Sequence, residues 1–495
     1  MATPIILAID EGTTNAKAIA VDRHGVIIAK AAIPLALLHP KPGWTEQDPA
    51  AIWLGVSQAV ADCLRQLASP QVEAVAISNQ RESVLIWDRA SGLPLTPVVS
   101  WQCRRSEDFC RQLAQDGHGP AIFAATGLPI DPLFPAAKIR GLLAGLADGQ
   151  GRAANGELCI GTLDSWLNWQ LTGGGAFSTD FANASRTQLF NIHRGCWDSR
   201  MLALFSIPAA ALPEVLPSAA VHGYTAAGAV PALPAGVPVA ALIGDSHAAL
   251  YGQGSNQTGD IKATYGTGSS LMMTIDRTVG SGLGLSHTLA WHDGALRYAL
   301  EGNITHTGSG LSWIGQLLGI SSMTQLCELA QGQADNQGVY FVPALSGLGA
   351  PYWDSRARGI ICGLTDAATP AGLARAGLES VAYQVADVFF AMEQAAGQRL
   401  PALRVDGGAT KNRWLMQFQA DLLQRRLIRN LNAEVSALGA AYLAGKTLGW
   451  WPDNEQIAAL PRNVEVIEPR PLTEQLQDNY KHWQAAVARA RYQPE

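Results

Sequence analysis

Two stretches of this chain are built alike, and together they restrict its fold more than any other feature. In the first, Ile5-Ile6-Leu7-Ala8-Ile9 reads as an apolar strand and Asp10-Glu11-Gly12-Thr13-Thr14-Asn15 as a polar turn. Residues 16–21 and 26–29 follow as two more strands joined at His24-Gly25. In the second, residues 259–265 read as a strand, Gly266-Thr267-Gly268-Ser269-Ser270 as a glycine and hydroxyl turn, and residues 271–275 as the return. Both are β-meanders. A Rossmann or Walker phosphate loop needs a helix directly after its glycines, and neither motif occurs here in that setting. A hairpin turn can still hold phosphate through backbone N–H groups and hydroxyls. An ordinary polar hairpin accounts for the Asp-x-Gly-Thr-Thr pattern equally well. Two halves that each present a Gly-Thr turn could, however, grip a polyphosphate from both sides of a cleft. The likeness is architectural, since no long identity links the two stretches.

Between the meanders, Val239-Ala240-Ala241-Leu242-Ile243-Gly244-Asp245 reads as a buried strand ending in Gly-Asp, with a helix-like run after it. Ligands in α/β proteins bind at such strand ends. Asp245 is either a hydrogen-bonded structural cap or a working carboxylate. Arg81 and Glu82 lie between strands at 72–77 and 84–87; a turn would let both side chains converge on a ligand, and a solvated turn is the alternative. Trp101 ends another strand and is a pocket wall or a core residue. Residues 178–187 read as a polar loop, and residues 208–238 as surface connection. Asp406-Gly407-Gly408-Ala409 lies between a strand and a helix that starts near Asn412, where glycines let a flat or anionic ligand approach the backbone.

At 495 residues the chain is too long for one core, so two α/β domains are expected, 1–245 and 246–495. The net charge of −6, without a basic run, argues against nucleic acid as a partner. No apolar stretch approaches the roughly 18 residues of a membrane span, and the N-terminus has no cationic signal-peptide start. The seven cysteines form no C-x-x-C pair, which argues for a reducing, cytoplasmic setting and against structural zinc or disulfides.

Taken in order, several stretches resemble the FGGY carbohydrate kinases, and the glycerol kinases most closely. They are Asp10-Glu11-Gly12-Thr13-Thr14, Gly43-Trp44-Thr45-Glu46-Gln47-Asp48-Pro49, Asn79-Gln80-Arg81-Glu82 and Thr126-Gly127-Leu128-Pro129-Ile130-Asp131-Pro132. They continue with Asn183-Ala184-Ser185-Arg186-Thr187, Gly244-Asp245, Tyr265-Gly266-Thr267-Gly268, Gly349-Ala350-Pro351-Tyr352-Trp353-Asp354 and Asp406-Gly407-Gly408-Ala409. The resemblance implies two actin-like, ribonuclease-H-like domains with the active site in the cleft between them. It implies phosphoryl transfer from ATP, with Mg2+, to a small polyol or sugar, and a homodimer. By that likeness the N-terminal domain carries substrate and base, and the C-terminal domain the nucleotide. Asp245 would be the general base and Asp10 would position magnesium. Thr13, Thr14, Asn15 and Lys17 would meet phosphate, with Gly266 and Thr267 holding it from the other domain. Gly308, Ser312, Gly408 and Asn412 would line the adenosine site. The chemistry fits independently, because a hydroxyl is a poor nucleophile near neutral pH and a carboxylate within reach can accept its proton.

Arg81, Glu82, Trp101 and Asp245 match glycerol-contacting positions of that family, but three other pocket positions depart from it. Leu133 stands where glycerol kinases usually carry Tyr, Ser246 where they carry Gln, and Ser270 where they carry Phe. Lys17 replaces the usual Arg, Ser312 the usual Gln, and His247 another usual polar residue. The pocket truncations predict a wider acceptor site, suited to a larger polyol or an open-chain sugar of about four or five carbons. A true glycerol kinase forming glycerol 3-phosphate is the second reading. A non-catalytic, actin-like nucleotide or sugar sensor is the third. The Gly-Gly-x-Arg segment that binds an inhibitory sugar bisphosphate in some glycerol kinases is replaced by Ala226-Ala227-Gly228-Ala229-Val230-Pro231, which predicts no such inhibition.

Overall fold

Strand β1 (Thr3–Glu11) is buried from Leu7 to Glu11 and at Ile5 and Ile6, so its apolar residues run on without alternation. It is the middle strand of a five-stranded sheet. With β2 (Asn15–Val21), β3 (Ile27–Pro34), β4 (Pro70–Asn79) and β5 (Val239–Gly244), the order is β5-β4-β1-β2-β3. The hairpin partners β1–β2 and β2–β3 are antiparallel, whereas β4 runs parallel to both β1 and β5. The computed structural model describes residues 3–255, 257–278 and 283–492.

Helix Pro49–Leu64 starts cleanly because Asp48 accepts from Ala50 N and proline occupies the first turn. Its Ile52, Val56, Ala59, Val60 and Cys63 join Ile5, Leu7, Ile9, Ala18 and Ala20 in one core. Helix Val435–Thr447 packs against β1, β4 and β5 and against helix Asp245–Gly252. The two helices meet at glycine. A Cβ on Gly439 would sit 1.8 Å from Ala248 O, and one on Gly252 would sit 2.5 Å from Val435 O. Backbone contact of this kind holds the helix that begins with Asp245. A four-stranded sheet of Glu46–Gln47, Val98–Val99, Val84–Asp88 and Leu158–Thr162 carries the turns at 80–83 and 100–103.

A second unit is built on a sheet whose strands include β6 (Ile261–Tyr265), β7 (Ser269–Ile275), β8 (Leu296–Ile304), β9 (Ala402–Asp406), β10 (Arg426–Asn430) and β11 (Val464–Ile467). These six follow one another as β8-β7-β6-β9-β10-β11, and strand Ser286–His292 is the seventh, beside β8. Here too an antiparallel hairpin, β6–β7, adjoins parallel partners, β9 beside β6 and β10 beside β9. The two meanders read in the sequence thus occupy corresponding places in two similar sheets. Helix Pro370–Ala396 belongs to this unit. Thr369 caps its start by accepting from Gly372 N, and Gly397, at φ 63°, ends it.

The division of the chain differs from the expected break at 245/246. Asp245 and Ser246 are the first residues of one helix, so the break would cut its first turn. The first unit continues to Asn256 and includes His287–Ala299 and Glu434–Pro461; the second comprises Gln257–Ser286, Leu300–Ala433 and Arg462–Glu495. Residues 178–187 also depart from the loop reading. They form strand Ser178–Asp180 and the short helix Phe181–Ser185, and most are buried. Their polar groups are paired internally, which lets hydrophilic sequence sit in a core. Asp180 alone accepts from Ala182 N, Asn183 N and Ser218 Oγ.

Candidate active-site residues

In the first unit, register brings the expected residues to the carboxyl ends of three neighbouring strands. Asp10 on β1 pairs with Ser78 on β4, and Gly244 on β5 pairs with Asn79. Asp10 and Asp245 therefore flank the end of β4. Ser78 Oγ donates to Asp10 Oδ1 at 2.7 Å, and Lys17 Nζ lies 3.6 Å from Asp10 Oδ2. Burial raises the pKa of Asp10, an effect that Lys17 and Ser78 reduce.

Asp245 is the first residue of its helix; the N-cap is Gly244. Its Oδ1 accepts from Ser246 N at 2.6 Å and from Arg81 Nε at 3.2 Å. Gly244 permits this meeting, because a Cβ there would lie 2.5 Å from Arg81 Cγ. Burial pushes the Asp245 pKa up to about 6; Arg81 opposes the rise, while Asp10 and Glu82 add to it. The side chain keeps 39 % exposure, so water still reaches the group and screens these charges.

Arg81 and Glu82 form no solvated turn, since both are buried. Glu82 has φ 59°, and its Oε1 accepts from Arg186 Nε at 2.6 Å while Arg81 turns to Asp245. Trp101 is half-buried and donates from Nε1 to Thr13 Oγ1 at 2.9 Å. The Thr13 hydroxyl thus links the first turn to the tryptophan. Thr14 is exposed, and its Oγ1 accepts from Asn15 Nδ2. Lys17 lies between Asp10 and Glu434 Oε2, the latter 3.0 Å away; these carboxylates outweigh the cost of burial and raise its pKa. Ser246 and His247 are buried. His247 Nε2 lies 3.2 Å from Thr288 Oγ1, 41 positions along the chain. Leu133 is half-buried, and Asp131 Oδ1 accepts from its N–H.

In the second unit, Thr264 on β6 pairs with Asp406 on β9, so Gly266 and Gly407-Gly408 follow neighbouring strand ends. The turn after β6 is tied to the start of helix Gly308–Leu317. Gly308 N donates to Gly266 O at 3.2 Å, and Thr307 N and Ser309 N both donate to Thr267 O. Space for a Cβ on Gly308 is closed by Gly266 O at 2.6 Å, whereas Gly408 faces open space. Ser312 is exposed, with its hydroxyl bonded back to Gly308 O. Asn412 caps helix Arg413–Leu423 by accepting from Leu415 N. Ser270 Oγ donates to Glu301 Oε1 at 3.0 Å. Gly266, Thr267, Gly308, Gly408 and Asn412 thus come to one end of one sheet.

Sequence reasoning gave no role to Arg186, Glu434, Lys138 or the buried Glu11–Gln80–Gln47 chain, in which Gln80 Nε2 donates to both Glu11 Oε1 and Gln47 Oε1. The matching motifs contain Arg186, Glu11, Gln80 and Gln47, which was the available signal; Glu434 and Lys138 had none. A cavity of about 540 Å³ lined by Arg23, Glu73 and Trp450 opens beside Gln71 and Pro238, at the amino ends of β4 and β5. None of the expected site residues lines it.

The N- and C-terminal domain models of the FGGY family of carbohydrate kinases match residues 5–252 and 261–448. The chain belongs to this family. This FGGY kinase is 67 % identical to the apulose kinase of Pectobacterium atrosepticum, with both chains covered in full. It is 42 % identical to glycerol kinase 2 of Thermotoga maritima over 98 % of each chain. The crystal structure of Plasmodium falciparum glycerol kinase with ADP superimposes with a TM-score of 0.92 at 32 % identity, covering 100 % of this chain and 99 % of that one. The FGGY kinase is thus a phosphotransferase of the sugar and polyol class with the actin-like, ribonuclease-H-like fold. Among the described residues, no helix is long and apolar enough to cross a membrane.

Proposed function

We propose that this FGGY kinase transfers the γ-phosphoryl group of ATP to a hydroxyl of a short ketose, with apulose as the acceptor. The observation that carries the substrate is the full-length 67 % identity to an apulose kinase, against 42 % to a glycerol kinase. Apulose is a branched ketose of five carbons, the size suggested by the short side chains at Leu133, Ser246 and Ser270. Those three, with Arg81, Glu82 and Trp101, would contact it.

Asp245 would be the general base. Both of its hydrogen bonds fall on Oδ1, which leaves Oδ2 to take the acceptor's proton. A pKa of about 6 keeps the carboxylate largely ionised at neutral pH, yet makes it a stronger base than an ordinary aspartate. As the hydroxyl oxygen bonds to the γ-phosphorus, its proton passes to Asp245 and the bond from phosphorus to the ADP oxygen breaks. Thr13, Thr14, Asn15 and Lys17 would donate to the phosphates, as would Gly266 and Thr267. Gly308, Ser312, Gly408 and Asn412 would line the nucleoside.

The residues present suit magnesium bound together with a nucleotide. Among the described residues no three acidic, histidine or cysteine side chains form a cage. Magnesium at such sites needs only one or two carboxylates, with phosphates and waters supplying the rest. Asp10, bonded through Oδ1 to Ser78, offers one. Magnesium supplies neutralisation of phosphate charge.

The test measures ADP formation with apulose, other four- and five-carbon ketoses and polyols, and glycerol, for wild type and Asp245→Asn. Apulose is expected to give a kcat/KM at least about ten-fold above glycerol. The variant is expected to lose about 10²- to 10⁴-fold in kcat. Equal use of glycerol would return the acceptor to glycerol. Full turnover by the variant would remove Asp245 as base. ADP formation unchanged by every acceptor would favour the sensor.

A further inference from the structure

Lys138 is a charged side chain in a core with no obvious reason to be there. It lies on helix Pro135–Gly145 and is fully buried. Its hydrogen-bond acceptors are backbone carbonyls: Leu133 O at 2.7 Å, Ser100 O at 3.0 Å, Trp101 O at 3.4 Å and Glu82 O at 3.5 Å. Burying an ammonium group is costly, and an apolar side chain of similar length would fill the space without that cost. What the ammonium does that methionine cannot is draw carbonyl oxygens from separate segments to one point. Those segments are the turn after β4, the turn after Val98–Val99, and the loop leading into helix Pro135–Gly145. Each carries at least one residue of the proposed acceptor site.

We propose that Lys138 is a positioning residue for the acceptor pocket, its ammonium setting the spacing of the three backbone segments that present Glu82, Trp101 and Leu133. This inference rests on the reading that those residues contact the acceptor. Two bonds are firm, to Leu133 and Ser100, and the third N–H is shared between the longer contacts to Trp101 and Glu82. The Glu82 end matters most. Its φ of 59° is unfavourable for a residue with a side chain, so the backbone must be held there. Lys138 holds its carbonyl while Arg186 holds its carboxylate at 2.6 Å. The titratable groups around the ammonium are Cys103, Glu82, Asp131 and Cys110. Burial lowers the Lys138 pKa to about 8 despite the negative groups nearby, and burial pushes the Cys110 thiol up to about 12, so it stays neutral. Above about pH 8 the knot loses its charge and one N–H donor.

The experiment compares wild type, Lys138→Met and Lys138→Arg, with Glu82→Gln and Trp101→Ala alongside. It measures KM for apulose, kcat, ADP affinity by calorimetry, and melting temperature. Lys138→Met is expected to raise acceptor KM at least ten-fold while ADP affinity changes less than two-fold, and Lys138→Arg to recover part of the loss. In wild type the acceptor KM is expected to rise between pH 7 and 9 with ADP affinity constant. Lys138→Arg, charged throughout, is expected to flatten that rise. A folded Lys138→Met with acceptor KM within two-fold of wild type overturns the inference. If that variant does not fold, a flat wild-type acceptor KM up to pH 9 overturns it. If Glu82→Gln and Trp101→Ala also leave acceptor KM unchanged, the acceptor-site reading itself fails. If they raise it while Lys138→Met does not, only the role of Lys138 fails.

Discussion

Replacing Arg81 with methionine should move the pH at which this kinase switches on, and the structure sets the size of the move. On the proposed reading Asp245 works as a carboxylate, so kcat/KM is expected to rise with pH through its pKa, about 6 in wild type. Burial holds that pKa up and Arg81, 3.2 Å away, holds it down. Unit charges at that distance attract by about 1.3 kcal/mol in water and about 5 kcal/mol at an effective dielectric of ~20. The 39 % exposure of the Asp245 side chain puts the pair toward the water limit, so about 1–2 kcal/mol is the working figure. That corresponds to roughly one pH unit. With the cation gone the acidic limb should shift upward, from about 6 to about 7. Arg81→Met should also weaken acceptor binding, but that lowers the plateau without moving the midpoint. Phosphate groups of the nucleotide titrate in the same range, yet identically for both proteins, so they cancel in the comparison. The assay is the pH dependence of kcat/KM for apulose from pH 5 to 8.5. A limb in Arg81→Met within 0.3 units of wild type would refute the claim that Asp245 is the titrating base.

Gly439→Ala should destabilise the protein by about 3 kcal/mol and lower its melting temperature by roughly 3–5 °C, because the new Cβ would lie 1.8 Å from Ala248 O and only backbone can move away. An unchanged melting temperature would contradict the contact that holds the Asp245 helix. His222 is buried, with Nδ1 near Ser178 Oγ and Nε2 near Pro217 O, and burial lowers its pKa to about 4. The unfolded chain therefore takes up that proton first as pH falls. The stability this histidine provides is complete above about pH 6.5 and declines toward pH 4, by up to about 3 kcal/mol. Urea unfolding of wild type against His222→Gln should show this pH-dependent difference, and parallel curves would exclude it. Leu133→Tyr, Ser246→Gln and Ser270→Phe together should shift the ratio of kcat/KM for glycerol over apulose at least ten-fold toward glycerol; no shift would detach these positions from acceptor choice.

What the sequence disclosed depended on whether the signal was local. The run ending in Gly244-Asp245 was legible because an apolar strand, a glycine and a helix start follow one another directly. The two meanders were legible for the same reason, and they do occupy corresponding positions in two sheets. The partners of these residues were not legible. Glu82 is held by Arg186, 104 positions away, and Lys17 by Glu434, near the other end of the chain. Residues 178–187 look like a loop by composition because serine, threonine, asparagine and aspartate favour turns. They are buried because several find distant partners: Asn183 exchanges two amide hydrogen bonds with Asn79, and Ser185 meets Thr288. Burial of this kind depends on pairing that only the folded chain supplies. The return of residues 287–299 and 434–461 to the first unit was hidden for a related reason, since returning segments have no local mark.

The two sheets share a pattern of pairing but carry opposite chemistry at corresponding strand ends. In the first, the hairpin strand brings an acid, Asp10, beside a hydroxyl, Ser78; in the second, the hairpin strand brings a hydroxyl, Thr264, beside an acid, Asp406. The first unit then gathers Asp10, Glu11 and Asp245, and two of them raise the pKa of a neighbour: Asp10 and Asp245 act on Glu11, and Asp10 acts on Asp245. That concentration suits a base and a cation site, and it repels phosphate. Donors for phosphate must therefore be set apart from the acids. On the proposed reading those in the first unit would be the Thr13-Thr14-Asn15 turn and Lys17, whose ammonium is also engaged by Asp10 and Glu434. In the second they would be the glycine turn, whose Gly266 and Thr267 carbonyls are stitched to the backbone N–H groups that open helix Gly308–Leu317. On the proposed reading, one sheet plan would serve proton removal in one unit and anion binding in the other, with the difference carried by a few residues at the ends of its parallel strands.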